Sequence, residues 1–121
     1  MPQKNILVVD DELSIRETMK SLLEEHGYSV KLADDGVSAL SAIKEELPDL
    51  IISDIKMKDM DGYTLLQELK KRDLSTKIPV IVVTGYSDMQ DLFSLQEVAD
   101  YVVKPFNNED LLLRIARILN K

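Results

Sequence analysis

The chain has 121 residues, 45% hydrophobic and 31% charged, so it can bury one core and does not have the composition of a disordered tail. With 22 acidic and 15 basic residues its formal net charge is −7, which argues against a basic groove for nucleic acid and against docking on an anionic membrane. Cysteine is absent, so disulfides, thiolate zinc sites and cysteine nucleophiles are excluded. Aromatics are only 5%, with no tryptophan, and the core must therefore be aliphatic. No apolar run reaches membrane-spanning length, and Met-Pro-Gln-Lys-Asn is not a signal peptide. The expectation is a single soluble domain over residues 1–121, located in the cytoplasm.

In chain order, Ile6-Leu7-Val8-Val9 is apolar on consecutive positions, the pattern of a strand covered on both faces. Ser14 with Glu17 reads as a capping box, opening a helix with Ile15, Met19, Leu22 and Leu23 on one face. Tyr28 to Ala33 alternates with lysine and reads as an edge strand. Val37, Leu40, Ile43 and Leu47 repeat the helical stripe until Pro48 stops it. Leu50-Ile51-Ile52 is the third strand, and Leu65, Leu66 and Leu69 mark a third helix after the Asp61-Gly62 turn. Val80 to Val83 is the fourth strand, and Ser87 with Gln90 caps a fourth helix. Tyr101-Val102-Val103 is the fifth strand, and Asn107 opens a fifth helix carrying Leu111, Leu112, Ile115, Ile118 and Leu119. Five strand–helix repeats without linker or internal repeat predict an α/β domain with a parallel sheet and helices on both faces.

Ligands of such sheets bind beyond the carboxyl ends of the strands. There the sequence places Asp10-Asp11-Glu12, Asp54, Thr84-Gly85 and Lys104-Pro105. A single strand-end aspartate often does no more than cap a helix or open a turn. Three clustered carboxylates repel one another unless a cation joins them. Asp10, Asp11 and Asp54 sum to −3 and Lys104 returns +1, so an oxygen-rich site poor in histidine suits Mg²⁺, whose charge of +2 restores neutrality. A carboxylate in that setting can act as a nucleophile toward phosphorus, with cations on the phosphoryl oxygens. Thr84 offers a hydroxyl donor, and Gly85 leaves room for close approach to its backbone amide.

Together, Asp10-Asp11-Glu12 after Val8-Val9, Asp54 followed by Met57, Met60, Asp61 and Gly62, Thr84-Gly85, and Tyr101 with Lys104-Pro105-Phe106 resemble the receiver domain of two-component response regulators, over essentially the whole chain. The resemblance implies a flavodoxin-like (βα)5 fold with strand order 2-1-3-4-5. It implies that Asp54 is the phosphoacceptor and that Asp11, Asp54 and the backbone carbonyl of Lys56 hold Mg²⁺, with Asp10 assisting. Lys104 then binds the phosphoryl group, and Thr84 with Tyr101 forms the switch pair. Lys56 and Tyr86 set the phosphoryl lifetime, and the Lys104-Pro105 bond is cis. The implied partners are a sensor histidine kinase or phosphotransfer protein, and a downstream protein or tethered output domain. The implied role is a signalling switch rather than an enzyme. The sequence is expected to be a stand-alone receiver or the receiver part of a longer regulator. It departs from the family pattern at Lys58, in place of proline, at Glu97, in place of glycine, and in a short stretch between Thr84 and Lys104.

Two rival readings share the fold class. A flavin-binding electron carrier needs a Ser/Thr/Gly-rich phosphate loop after the first strand, where this chain has acids. A magnesium phosphohydrolase with an aspartyl nucleophile needs a second aspartate two residues along and a substrate cap. A receiver that is never phosphorylated is disfavoured because every chemical residue is retained. His26 reads as a surface residue at a helix end, and Lys70-Lys71-Arg72 as the solvated close of the third helix. The output face is expected to comprise the fourth helix, fifth strand and fifth helix. Asp100, Asp110 and Arg114 supply half the charges of the family's salt-bridged homodimer. Ser87 to Glu97, however, carries Asp88, Asp91 and Glu97 and no Lys or Arg, which disfavours that dimer. Met89, Leu92, Phe93 and Leu95 in the same stretch are expected to form an apolar patch for a different protein.

Overall fold

The computed structural model describes residues 3–54, 62–74, 77–85 and 98–120. The five apolar runs become β1 (Asn5–Val9), β2 (Ser29–Ala33), β3 (Leu50–Asp54), β4 (Val80–Gly85) and β5 (Asp100–Lys104). They pair in parallel as one sheet in the order β2-β1-β3-β4-β5, with β2 at an edge as its alternating pattern predicts. Among the described residues the helices are α1 (Leu13–Glu25), α2 (Gly36–Glu45), α3 (Gly62–Lys71) and α4 (Asn108–Leu119), the last being the stretch opened by Asn107. Asn107 accepts the Asp110 N–H at 3.1 Å, as an N-cap should. The predicted fourth helix, with its apolar and acidic residues and Glu97, lies outside the described residues, as does Lys58.

Consecutive apolar positions on each strand feed two separate cores, because side chains alternate across a sheet. Leu7, Val9, Ile51, Val80 and Val82 pack under α2 and α3, against Ala39, Ile43, Leu65 and Leu69. Ile6, Val8, Leu50, Ile52, Val83 and Val102 pack on the opposite face, against Met19 and Leu23 of α1 and Leu111 and Ile115 of α4. This double coverage is why the strands are apolar on both faces.

Two local expectations are corrected. Ser14 does not cap α1: the cap position is Glu12, so Ser14 already sits inside the first turn, where its side chain cannot serve the helix end. Val37 and Leu47 are not core: they are 53% and 55% exposed, and the buried face of α2 is Gly36, Ala39, Leu40 and Ile43. Small Gly36 and Ala39 let α2 lie close on the sheet, which turns Val37 outward. Leu47 falls beyond the helix, which gives way to extended backbone at Glu46. His26 caps the other end of α1, exposed, with Nδ1 2.9 Å from the Leu22 carbonyl, and Gly27 turns the chain at φ 89°, a left-handed conformation that favours glycine. Lys70 and Lys71 close α3, and Glu68 pairs with Lys71 and with Arg72 just beyond the helix.

Leu23 is fully buried between α1 and the sheet, so Leu23→Ala should cost about 2–5 kcal/mol in urea unfolding. Val37→Ala, on the exposed side of α2, should stay within about 0.5 kcal/mol of the parent.

Candidate functional site

The alternation that divides the cores also assembles the site. Asp10 continues the row of Ile6 and Val8, Asp54 that of Leu50 and Ile52, and Lys104 follows Val102 by two, so all three emerge on the face covered by α1 and α4. The pairing of Asp54 with Val83, and of Val83 with Val102, sets their levels along the strands. Asp10 lies one residue beyond β1, where its N–H still donates to the Ala33 carbonyl at 3.1 Å. Asp10, Asp11 and Asp54 then offer carboxylate oxygens within 4.8 Å of one another. Of the strand-end residues, the carboxylates of Asp10, Asp11 and Asp54 thus lie together.

The three carboxylates differ in surroundings. Asp10 is 3% exposed, Asp54 is partly buried and Asp11 is exposed. Lys104 Nζ donates to Asp54 Oδ2 at 2.9 Å and to Asp10 Oδ2 at 3.1 Å. The second oxygen of Asp10 accepts the Glu12 N–H at 2.9 Å. Burial alone would lower the Lys104 pKa, but the hydrogen bond to Asp54 and the charges of Asp10 and Asp54 outweigh it, and the ammonium titrates above its ordinary value. With three carboxylates and one ammonium (−3 + 1) the cluster carries −2, and its donors are all oxygen, the donor set of a hard divalent cation.

Thr84 and Gly85 end β4 opposite Val103 and Lys104. A Cβ on Gly85 would meet no described heavy atom within 4 Å. Tyr101 pairs with Val82 and packs, half-buried, against the α2–α3 core. The Lys104-Pro105 bond is cis, as the resemblance implies. Lys56 and Tyr86 lie outside the described residues, and so does the side chain of Thr84. Beside Lys104 an open groove of about 470 Å³ runs between α1 and the start of α4, lined by Ile15, Met19, Pro105 and Phe106 with Ser14, Thr18 and Asn108.

The sequence reading missed Arg16, whose guanidinium Nη1 donates to the Asp10 carbonyl at 2.6 Å. The available signal was a basic residue one turn into the helix that follows an acidic loop. It also left open that Asp100, Asp110 and Arg114 are joined within one chain: Arg114 reaches Asp100 at 2.6 Å, Asp110 at 3.0 Å and the Tyr101 carbonyl at 3.3 Å. The hydrogen bonds to Asp110 and Asp100 raise the Arg114 pKa further.

Residues 6–116 match the response regulator receiver domain. The chain belongs to that family. It is 41% identical over 123 residues to the protein named "Probable transcriptional regulator ycf27" of Porphyridium aerugineum, covering 100% of this chain and 50% of that protein. It is 36% identical to the transcriptional regulatory protein ZraR of Klebsiella oxytoca, over 97% of this chain and 26% of that protein. The chain thus spans half or less of the curated relatives cited here. Among solved structures, a CheY-like receiver domain protein of Methanospirillum hungatei matches with 36% identity and a TM-score of 0.88, covering 98% of this chain and 95% of that one. The receiver domain protein of Clostridium thermocellum matches at 32% identity and a TM-score of 0.87, covering 97% and 94%. These matches, with the strand order and the acidic edge, establish a receiver domain of the two-component type. No helix among the described residues is long and apolar enough to cross a membrane.

Because the folded Lys104 pKa is raised, its stabilising contribution is complete below the ordinary lysine value of 10.5 and is lost as pH rises through the still higher folded value. The difference in unfolding free energy between the parent and Lys104→Met should therefore hold constant from about pH 7 to pH 9 and shrink in the more alkaline range. Urea unfolding across that range measures it. A difference that already shrinks between neutrality and pH 9 would contradict the assignment.

Proposed function

We propose that this receiver is a phosphorylation-controlled switch in which Asp54 is the phosphoacceptor. The observation that carries the reading is the Lys104 ammonium held between Asp10 and Asp54 at the mouth of the acidic edge. A carboxylate oxygen of Asp54 attacks phosphorus of a phosphohistidine on a sensor histidine kinase or phosphotransfer protein. The new O–P bond forms as the P–N bond breaks, and the departing imidazole nitrogen takes up a proton from solvent. Lys104 is within reach of the incoming phosphoryl oxygens without leaving its place beside Asp54, which limits reorganisation. Thr84 donates its hydroxyl to another of those oxygens.

Asp11, Asp54 and the Lys56 carbonyl would hold Mg²⁺, with Asp10 orienting the group from its buried position; the all-oxygen, net −2 cluster fits it. When bound, Mg²⁺ supplies the positive charge that lets a phosphoryl group approach an acidic edge. The groove beside Lys104, lined by Ile15, Pro105 and Phe106, gives a donor protein an apolar surface to rest on while its phosphohistidine reaches Asp54.

Thr84 and Tyr101 form the switch. Drawing the Thr84 hydroxyl toward the phosphoryl group vacates space that the Tyr101 ring occupies, and the phosphoryl group thereby biases an equilibrium between two arrangements. The responding face is β5, α4 and the stretch of residues 86–97, and its partner is a different protein or a tethered output domain. With Arg114 already engaged by Asp100 and Asp110 of its own chain, the salt-bridged homodimer has less to gain. Residues 1–121 act as one receiver unit, in the cytoplasm. Any contact with DNA falls to an attached output domain rather than to this acidic chain. The flavin-carrier and phosphohydrolase readings draw no support from the family matches.

Incubation with acetyl phosphate and Mg²⁺ should add the mass of one phosphoryl group, read by intact mass spectrometry. Asp54→Ala should remove the label and Asp11→Ala should sharply weaken Mg²⁺ uptake. Label retained by Asp54→Ala would overturn the assignment. Lys56 and Tyr86, two residues beyond Asp54 and Thr84, are expected to shield the acyl phosphate from water. Its decay should accelerate several-fold in Lys56→Ala and Tyr86→Ala, and decay at the parent rate would remove both from that role.

A further inference from the structure

The geometry points to Arg16 as a positioning residue for the acidic edge, one that fixes the backbone from which Asp10 and Asp11 are presented to a divalent cation. The inference rests on the phosphoacceptor reading and adds a residue to it. Asp10 is held at every polar atom it has. Its N–H donates to Ala33, its carboxylate oxygens take the Glu12 N–H and the Lys104 ammonium, and its carbonyl accepts Nη1 of Arg16 at 2.6 Å. That carbonyl lies just past the end of β1, where the β1 ladder has stopped. Arg16 reaches it across six residues while its own N–H donates to the Glu12 carbonyl at 3.1 Å, so one residue of α1 grips both ends of the 10–12 loop. Asp11 is the exposed member of the cluster and sits between these two fixed points. The α1 cap position, Glu12, makes no side-chain cap hydrogen bond, which leaves Arg16 and Asp10 to define how the loop enters the helix.

Charge and geometry make opposite demands, which makes the idea decidable. A guanidinium beside a cation site repels the cation, so by charge alone its removal should tighten Mg²⁺ binding. As a brace for the ligating loop, its removal should loosen binding, by about tenfold as is typical when the group behind a metal ligand is lost. Lysine keeps the charge but carries it as a strongly hydrated ammonium on a flexible stem, which holds the carbonyl less firmly, so it should not restore the affinity.

The test is calorimetric Mg²⁺ titration of the whole chain as wild type, Arg16→Met and Arg16→Lys, with amide hydrogen exchange at Glu12 and Leu23. The expected result is Mg²⁺ affinity about tenfold weaker in Arg16→Met, no recovery in Arg16→Lys, and faster exchange at Glu12 with Leu23 unchanged. Equal or tighter Mg²⁺ binding in Arg16→Met overturns the inference, as does full affinity in Arg16→Lys. Should Arg16→Met fail to fold, Arg16→Lys alone decides. A wild-type chain that takes up no Mg²⁺ defeats the phosphoacceptor reading instead. The brace is then judged by Glu12 exchange, and an unchanged rate in the variants overturns it.

Discussion

The Lys104 ammonium, placed between the carboxylates of Asp10 and Asp54, is the contact on which the acidic edge depends. It joins residues 94 and 50 positions apart in the chain, and so it exists only once β1, β3 and β5 have found their register. Two carboxylates brought this close would repel each other, and a single shared cation relieves that repulsion while leaving the cluster negative. The residual charge is what a divalent cation answers. The same arrangement therefore stabilises the resting fold and keeps the site short of positive charge.

The sheet makes this arrangement possible by carrying two cores. Every second residue of β1, β3 and β5 points toward α1 and α4, and the last positions in those rows carry acid, acid and ammonium in place of aliphatic side chains. The intervening positions, including the one occupied by Tyr101, face α2 and α3. Asp54 and Tyr101 thus lie on opposite sides of one sheet, linked through the pairing of β3, β4 and β5. Strand pairing and two rigid cores are well suited to transmit a discrete change.

The strands, their parallel direction and the placing of Asp10, Asp11, Asp54 and Lys104 at one edge were legible in the sequence because consecutive apolar runs and strand-end residues are local signals, whereas the strand order came from the family resemblance. Details set by non-local contact were less so. Ser14 and Glu17 match a capping box, yet the helix starts earlier because the loop before it is held by Asp10, itself tied to Lys104. Val37 fits a helical stripe, but Gly36 and Ala39 turn the other flank of α2 inward, and small residues are weak markers of a core face. Arg16 went unread because its partner is a backbone carbonyl, for which the only sequence signal is a basic residue one turn into the helix after an acidic loop.

The two rims of the sheet have a consequence for recognition. An unpaired strand edge invites another chain to extend the sheet, and charge on that edge discourages it. Here β2 carries Lys31 mid-strand, paired with Glu46, and β5 opens at Asp100 with Arg114 laid across to its carboxylate and to the next carbonyl. Neither rim offers a bare, neutral ladder, so aggregation by strand addition is discouraged when the chain is abundant. Recognition of this domain is thereby steered away from strand addition and toward its side chains, a language in which specificity between many similar receivers can be written.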